Sequence, residues 1–128
     1  MPVTASSNQA EAHYVTDGSK EQSATWNAGA PPPQTVEIDL RSPRTVTSFK
    51  LVVEQNPPGL SHHMVTGIRS DGVEVVLATF RVPTIAGAEL PWVVSPQAGK
   101  DISRIRVHTP VGASGSWVAW REIDIFGI

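Results

Sequence analysis

The side chains best suited to acid–base or metal chemistry are four histidines, His13, His62, His63 and His108, and two carboxylate pairs, Glu37/Asp39 and Glu122/Asp124. Two carboxylates flanking a bond are what glycoside hydrolysis requires. Residues two apart on a strand share a face, however, so each pair serves equally well as the solvated side of a strand. His62 and His63 are adjacent, and neighbouring strand residues point to opposite faces, so the two cannot easily clamp one metal ion. No H-x-x-x-H spacing occurs. Either histidine can instead serve as a ligand-binding group in a loop spanning 57–63, or be an ordinary surface residue. Gly112-Ala113-Ser114-Gly115-Ser116 resembles a nucleophile elbow but has serine in place of its final glycine. With no nucleophile–base pair and no cofactor motif, the residues predict a binding protein and not an enzyme.

The aromatic residues carry a second signal. There are four tryptophans, three phenylalanines and one tyrosine. Trp26 follows a polar segment, Trp92 lies in a β-rich run, and Trp117 and Trp120 flank Val118-Ala119. At i, i+3 on a strand the last two face opposite sides, so at most one is core. Tryptophan at a surface often marks a contact site, and core packing is the alternative for each.

The elements that must position these residues are short strands. Val36, Ile38 and Leu40 alternate with Glu37 and Asp39, the pattern of a half-buried strand. In the run Val46–Val53, Phe49, Leu51 and Val53 share a face. Runs over 63–70 and 73–82 flank Asp71-Gly72, a strong hairpin signal because both turn positions favour φ > 0. Further runs cover 90–94, 102–109 and 117–126. Ser19-Lys20-Glu21-Gln22 has the shape of a capping box, with space for only a turn or so of helix. Seven or eight strands at regular spacing predict an all-β jelly-roll sandwich.

Length and composition bound the partners. The 128 residues, 40% hydrophobic and 17% charged, suit one globular domain over 1–128. A net charge of −2 and a pI near 6.0 argue against a nucleic-acid binder, which needs a basic face. Without cysteine there is no disulfide scaffold and no thiolate metal site. No window approaches the ~20 apolar residues of a membrane span. Met1-Pro2-Val3-Thr4 lacks the basic start of a signal peptide, so an exported form is expected to be a mature fragment or a module of a longer chain.

The ordered set Asp17-Gly18, Trp26-Asn27, Val36-Glu37-Ile38-Asp39-Leu40, Phe49-Lys50-Leu51, Arg104-Ile105-Arg106-Val107 and Ala119-Trp120-Arg121-Glu122-Ile123 resembles the discoidin family. These coagulation-factor C-terminal-type, galactose-binding-like domains overlap the family 32 carbohydrate-binding modules. The resemblance runs from about Thr4 to Gly127. It implies an eight-stranded jelly-roll β-sandwich that binds ligands in loops at one end. Those ligands are usually sugars on glycans, less often lipid headgroups or protein surfaces. The bracketing disulfide of vertebrate members is absent, which brings the bacterial branch nearer, and with it a secreted or cell-surface parent.

The family also often holds a structural calcium ion. Carried over residue by residue, its ligands are the Asp17 and Glu122 carboxylates and carbonyls around Tyr14, Ser19 and Arg121, hard oxygens that suit calcium. The sequence departs from the pattern in having Ala24 where a threonine is usual. Lys20 could also place a cation where the metal would sit, so a metal-free Asp17/Glu122 clamp is the alternative. For the sugar site the resemblance points to Gln55, His62, His63 and an aromatic platform at Trp92 or Trp117, with no arginine aligning. The expected function is a lectin-like module for a terminal, galactose-like sugar. The rival is an adhesion or assembly module for a protein or lipid surface, and the single apolar loop tip, Leu60, disfavours lipid.

Overall fold

A computed structural model describes residues 2–16, 18, 25–30, 32–54, 59–85, 87–111 and 118–127. Among them are nine strands: β1 (Val3–Ala5), β2 (Trp26–Asn27), β3 (Gln34–Arg44), β4 (Val46–Val53), β5 (Gly59–Arg69), β6 (Glu74–Thr84), β7 (Glu89–Val93), β8 (Ile102–Val111) and β9 (Ala119–Gly127). They form two antiparallel sheets, ordered β1-β3-β8-β5-β6 and β2-β9-β4-β7. The expected all-β sandwich is what the chain builds, with the short β1 and β2 added beside seven longer strands. One 3₁₀ helix, Gln9–Thr16, precedes β2 and packs against β9.

Alternation explains the core. Val36, Ile38 and Leu40 turn inward from β3, Phe49, Leu51 and Val53 from β4, and Ile105 and Val107 from β8, all fully or nearly fully buried. Phe49 meets Phe80 edge to face across the sandwich, and Phe80 meets Trp92 in the same way, with ring centroids 6.3 and 5.7 Å apart. β6 and β7 are the edge strands of their sheets, so the Phe80–Trp92 contact closes the open side between them.

The Asp71-Gly72 hairpin forms between β5 and β6, with a longer turn than a two-residue loop. Only Gly72 has positive φ (89°). The Gly72 N–H donates to the Arg69 carbonyl and the Arg69 N–H to the Val73 carbonyl, each at 2.9 Å. The Asp71 carboxylate accepts the Val73 N–H, also at 2.9 Å. This is a tight turn closed by a left-handed glycine, the three-residue hairpin solution.

Strand direction sorts the connections. Those at 45, 70–73 and 94–101 lie at the end of the sandwich where β9 finishes. The strand ends at Val53, Thr84 and Val111 and the strand starts at Gly59, Glu89 and Ala119, together with the start of β3 at Gln34, lie at the opposite end. Sugar binding in loops at one end would use one of these two sets.

Candidate ligand-binding end

At the second end, three connections are tied together by backbone. The Val53 N–H donates to the Ala88 carbonyl (2.8 Å), Gly87 N–H to the Val53 carbonyl (2.7 Å), and Glu54 N–H to the Ala119 carbonyl (3.2 Å). Onto this frame β9 projects Arg121, whose Nε donates to Glu54 Oε2 at 2.8 Å. Both side chains are mostly sheltered, at 19% and 13% exposure. The guanidinium lies so close to Gly87 that a Cβ there would stand 3.2 Å from Nη1. Arg121 therefore links β9 to the β4–β5 and β6–β7 connections. The sequence pattern marks Arg121 only for its carbonyl, as a calcium ligand, and aligns no arginine with this end. The register shift between Val52 and Val53, opposite Glu122 and Trp120, is what redirects it.

The two neighbouring histidines separate as strand geometry requires, and the expectation for His63 is corrected. His63 is not a loop residue. It lies inside β5 and faces the core at 2% exposure. Its Nδ1 is 2.8 Å from Thr109 Oγ1, and its ring packs edge to face on Trp120 at 4.6 Å. Burial drives its pKa down to about 4, and the nearby His62 pushes the same way. A neutral imidazole closed off from solvent cannot touch a sugar. His62 is half-buried and pairs with Val111, where β8 runs into the 112–117 connection, so it stays at the candidate end.

The tryptophans also divide. Trp120 and Trp26 are fully buried, and the Trp26 Nε1–H donates to the Ser7 and Asn8 carbonyls. Trp92, 41% exposed, pairs with Phe49 in the body of β7. It caps the side of the sandwich, in the body of its strand and away from the ends of β4 and β9. Gln55 and Trp117 lie outside the described residues.

The residues expected to hold calcium are described only in part. Glu122 is 2% exposed, on the face of β9 opposite Ile123. β9 packs against the 3₁₀ helix, which carries half-buried Tyr14 and leads directly to position 17. Asp17 and Ser19 are outside the described residues. Among those described, no group of three or more His, Asp or Glu side chains is placed to hold a metal ion. Of the carboxylate pairs, Glu37 binds Arg104 and Arg106 at 2.8 and 3.2 Å, and Asp39 accepts the Arg41 N–H at 2.7 Å. That pair is the solvated face of β3, occupied by ion pairing and turn formation.

No protein-family model matches the sequence, and no curated protein matches it significantly. Solved structures do. Chitosan-binding module 1 from the chitosanase/glucanase of Paenibacillus sp. IK-5 superposes with a TM-score of 0.78 at 22% identity, over 98% of this chain and 93% of that one. The family 32 carbohydrate-binding module of AlyQ, in complex with 4,5-unsaturated mannuronic acid, gives 0.78 at 20% identity, over 97% and 92%. The family 32 module of Clostridium perfringens NanJ, in complex with galactose, gives 0.72 at 18% identity, over 96% and 90%. At such identities the likeness establishes the fold, which is the fold of the family the sequence resembles.

Proposed function

We propose that this domain is a non-catalytic carbohydrate-binding module that takes a terminal, galactose-like sugar at the loop end described above. The observation that carries the reading is the two-way overlap, nine-tenths or more of either chain, with the three sugar-binding modules above. The site chemistry is consistent with it. A galactose-type ring offers one apolar C–H face, which suits the Trp117 indole, and a rim of hydroxyls that needs fixed donors and acceptors. Gln55 supplies both, and the ring nitrogens of His62 add further hydrogen-bonding groups. Arg121 acts as a positioning residue, because its bond to Glu54 sets the mouth of the connections that carry the ligand groups. The structural relatives are modules of larger proteins, and a secreted or cell-surface parent follows from the same reading. A glycan array probed with the isolated domain tests this. Retention on galactose-terminated glycans, with dissociation constants of roughly 0.1–1 mM, supports it. Retention on no glycan, with binding to a protein or lipid surface instead, favours the assembly reading.

We further propose a structural calcium ion between the 3₁₀ helix and β9. The buried Glu122 carboxylate fits the role, since an ion of this type is held by hard, shielded oxygens. The Asp17 carboxylate and carbonyls near Tyr14, Ser19 and Arg121 would complete the set. The ion would fix the N-terminal segment to the second sheet and would do no chemistry. Calcium at 100 times its dissociation constant should then stabilise the native state by about 2.7 kcal/mol. The melting temperature should rise in calcium, fall in chelator, and lose that difference in Asp17→Ala. Equal melting temperatures in calcium and chelator would mean a metal-free Asp17/Glu122 clamp.

A further inference from the structure

The end of the sandwich opposite the candidate sugar site carries a groove of about 360 Å³ between the β3–β4 corner and the last residues of β9. Its lining includes buried Leu40 and Val46, half-buried Ile125, and Phe126, 52% exposed. Arg41 and Arg44 line it as well, both exposed, and neither makes an ion pair among the described residues. Arg104, Arg106 and Arg121, by contrast, are all bound to glutamates.

The backbone here is built to present these cations. Asp39 pairs with Arg104 and Arg44 with Ile102, so 40–43 oppose the single residue Ser103 and bulge out of the ladder. Arg41 takes φ 70°, a region that costs a non-glycine residue energy and clusters at functional sites. The Asp39 carboxylate is turned onto the Arg41 N–H at 2.7 Å and does not line the groove. Gly127 brings β9 so close to the Thr45 carbonyl that a Cβ would not fit, which seats Phe126 beside the corner.

We infer that this groove is a second binding site, for a carboxylated saccharide such as a uronic acid unit of a polysaccharide. The guanidinium fork is the group suited to bidentate carboxylate binding. The exposed Phe126 ring in that lining suits the C–H face of a pyranose. A polyuronate carries one carboxylate per unit, so a groove lined by two arginines offers a cation to more than one unit. An extended acidic peptide would seek a free strand edge. Here β4 is paired with β9 up to Val46 and Gly127, and the described backbone left out of the ladders at the groove is the four-residue 40–43 bulge, too short and irregular to template an added strand. The site lies at the far end from the proposed galactose site and stands or falls independently of it.

The test is a ¹⁵N-amide NMR titration of the domain with trigalacturonate at low salt, alongside neutral galactotriose and tetraglutamate. Trigalacturonate should shift the amides of 40–46 and 125–127 saturably in the millimolar range, and galactotriose should leave them unmoved. Arg41→Gln/Arg44→Gln should weaken the binding by about tenfold or more with an unchanged melting temperature. Phe126→Ala should weaken trigalacturonate selectively. No saturable shift at about 20 mM, undiminished binding by the double arginine variant, or tetraglutamate binding as well as trigalacturonate would each overturn the inference. The last result would identify a peptide-reading surface.

Discussion

His63→Ala will destabilise the domain by about 2–4 kcal/mol, measured by urea unfolding at pH 7. The substitution removes a fully enclosed ring from its contact with Trp120, and it strips Thr109, itself 1% exposed, of its partner. A buried hydroxyl left without a hydrogen bond costs about 1–3 kcal/mol, and the cavity adds to that. The same residue makes stability pH-dependent. Its folded pKa of about 4 lies below the unfolded 6.5, so between those values the unfolded chain binds a proton that the native state refuses. Its contribution is complete above pH 6.5 and is lost as pH falls toward 4, with about 2 kcal/mol gone between pH 7 and pH 5. His63→Asn, which can keep a hydrogen bond to Thr109 without titrating, should flatten that slope. A wild-type stability that does not change from pH 7 to pH 5 would show that His63 is not held neutral in the core.

Arg121→Ala is the second large effect, and it acts on binding as well as on stability. Glu54 would keep its sheltered carboxylate without the donor that now satisfies it, at a cost of about 1–3 kcal/mol. The β4–β5 and β6–β7 connections would lose the side chain that joins them to β9. Sugar affinity should therefore fall by about tenfold, near 1.4 kcal/mol. Glu54→Ala should produce a similar loss, and the two substitutions together should cost less than their sum. Strict additivity, or affinity retained in both single variants, would show that the pair does not organise the site. Arg121→Lys is the sharper control, because a lysine cannot hold both the Glu54 carboxylate and the Gly87 approach with one planar group.

What could be read from the sequence follows from which interactions are local. Val36, Ile38 and Leu40, or Phe49, Leu51 and Val53, reveal their buried face by period-two alternation, and Asp71-Gly72 marks its hairpin. Alternation also requires that His62 and His63 part company. It does not say which one turns inward, because that depends on the phase set by pairing with β6 and β8. The Glu54–Arg121 pair spans 67 residues and depends on a register shift in β4–β9 that no local pattern announces. Glu122 reads as a surface carboxylate by its alternation with Ile123. It is buried because the 3₁₀ helix Gln9–Thr16, too short and irregular to show a helical period, packs against β9. Trp92 was placed correctly in a strand, but its neighbours Phe49 and Phe80 arrive from elsewhere in the chain and make it an edge cap.

The most direct test of the central claim is a ¹⁵N-amide NMR titration of the domain with galactose. Saturable shifts are expected, with a dissociation constant of roughly 0.1–1 mM. They should be confined to 54–62, 85–88 and 112–121, with 40–46, 70–73 and 125–127 unmoved. A sugar this small in a shallow, wet site gains biological strength from repeated modules or clustered glycans, so weak binding by one domain is the expected result. No shift at tens of millimolar galactose, or shifts centred on Trp92 and the open side between β6 and β7, would contradict it.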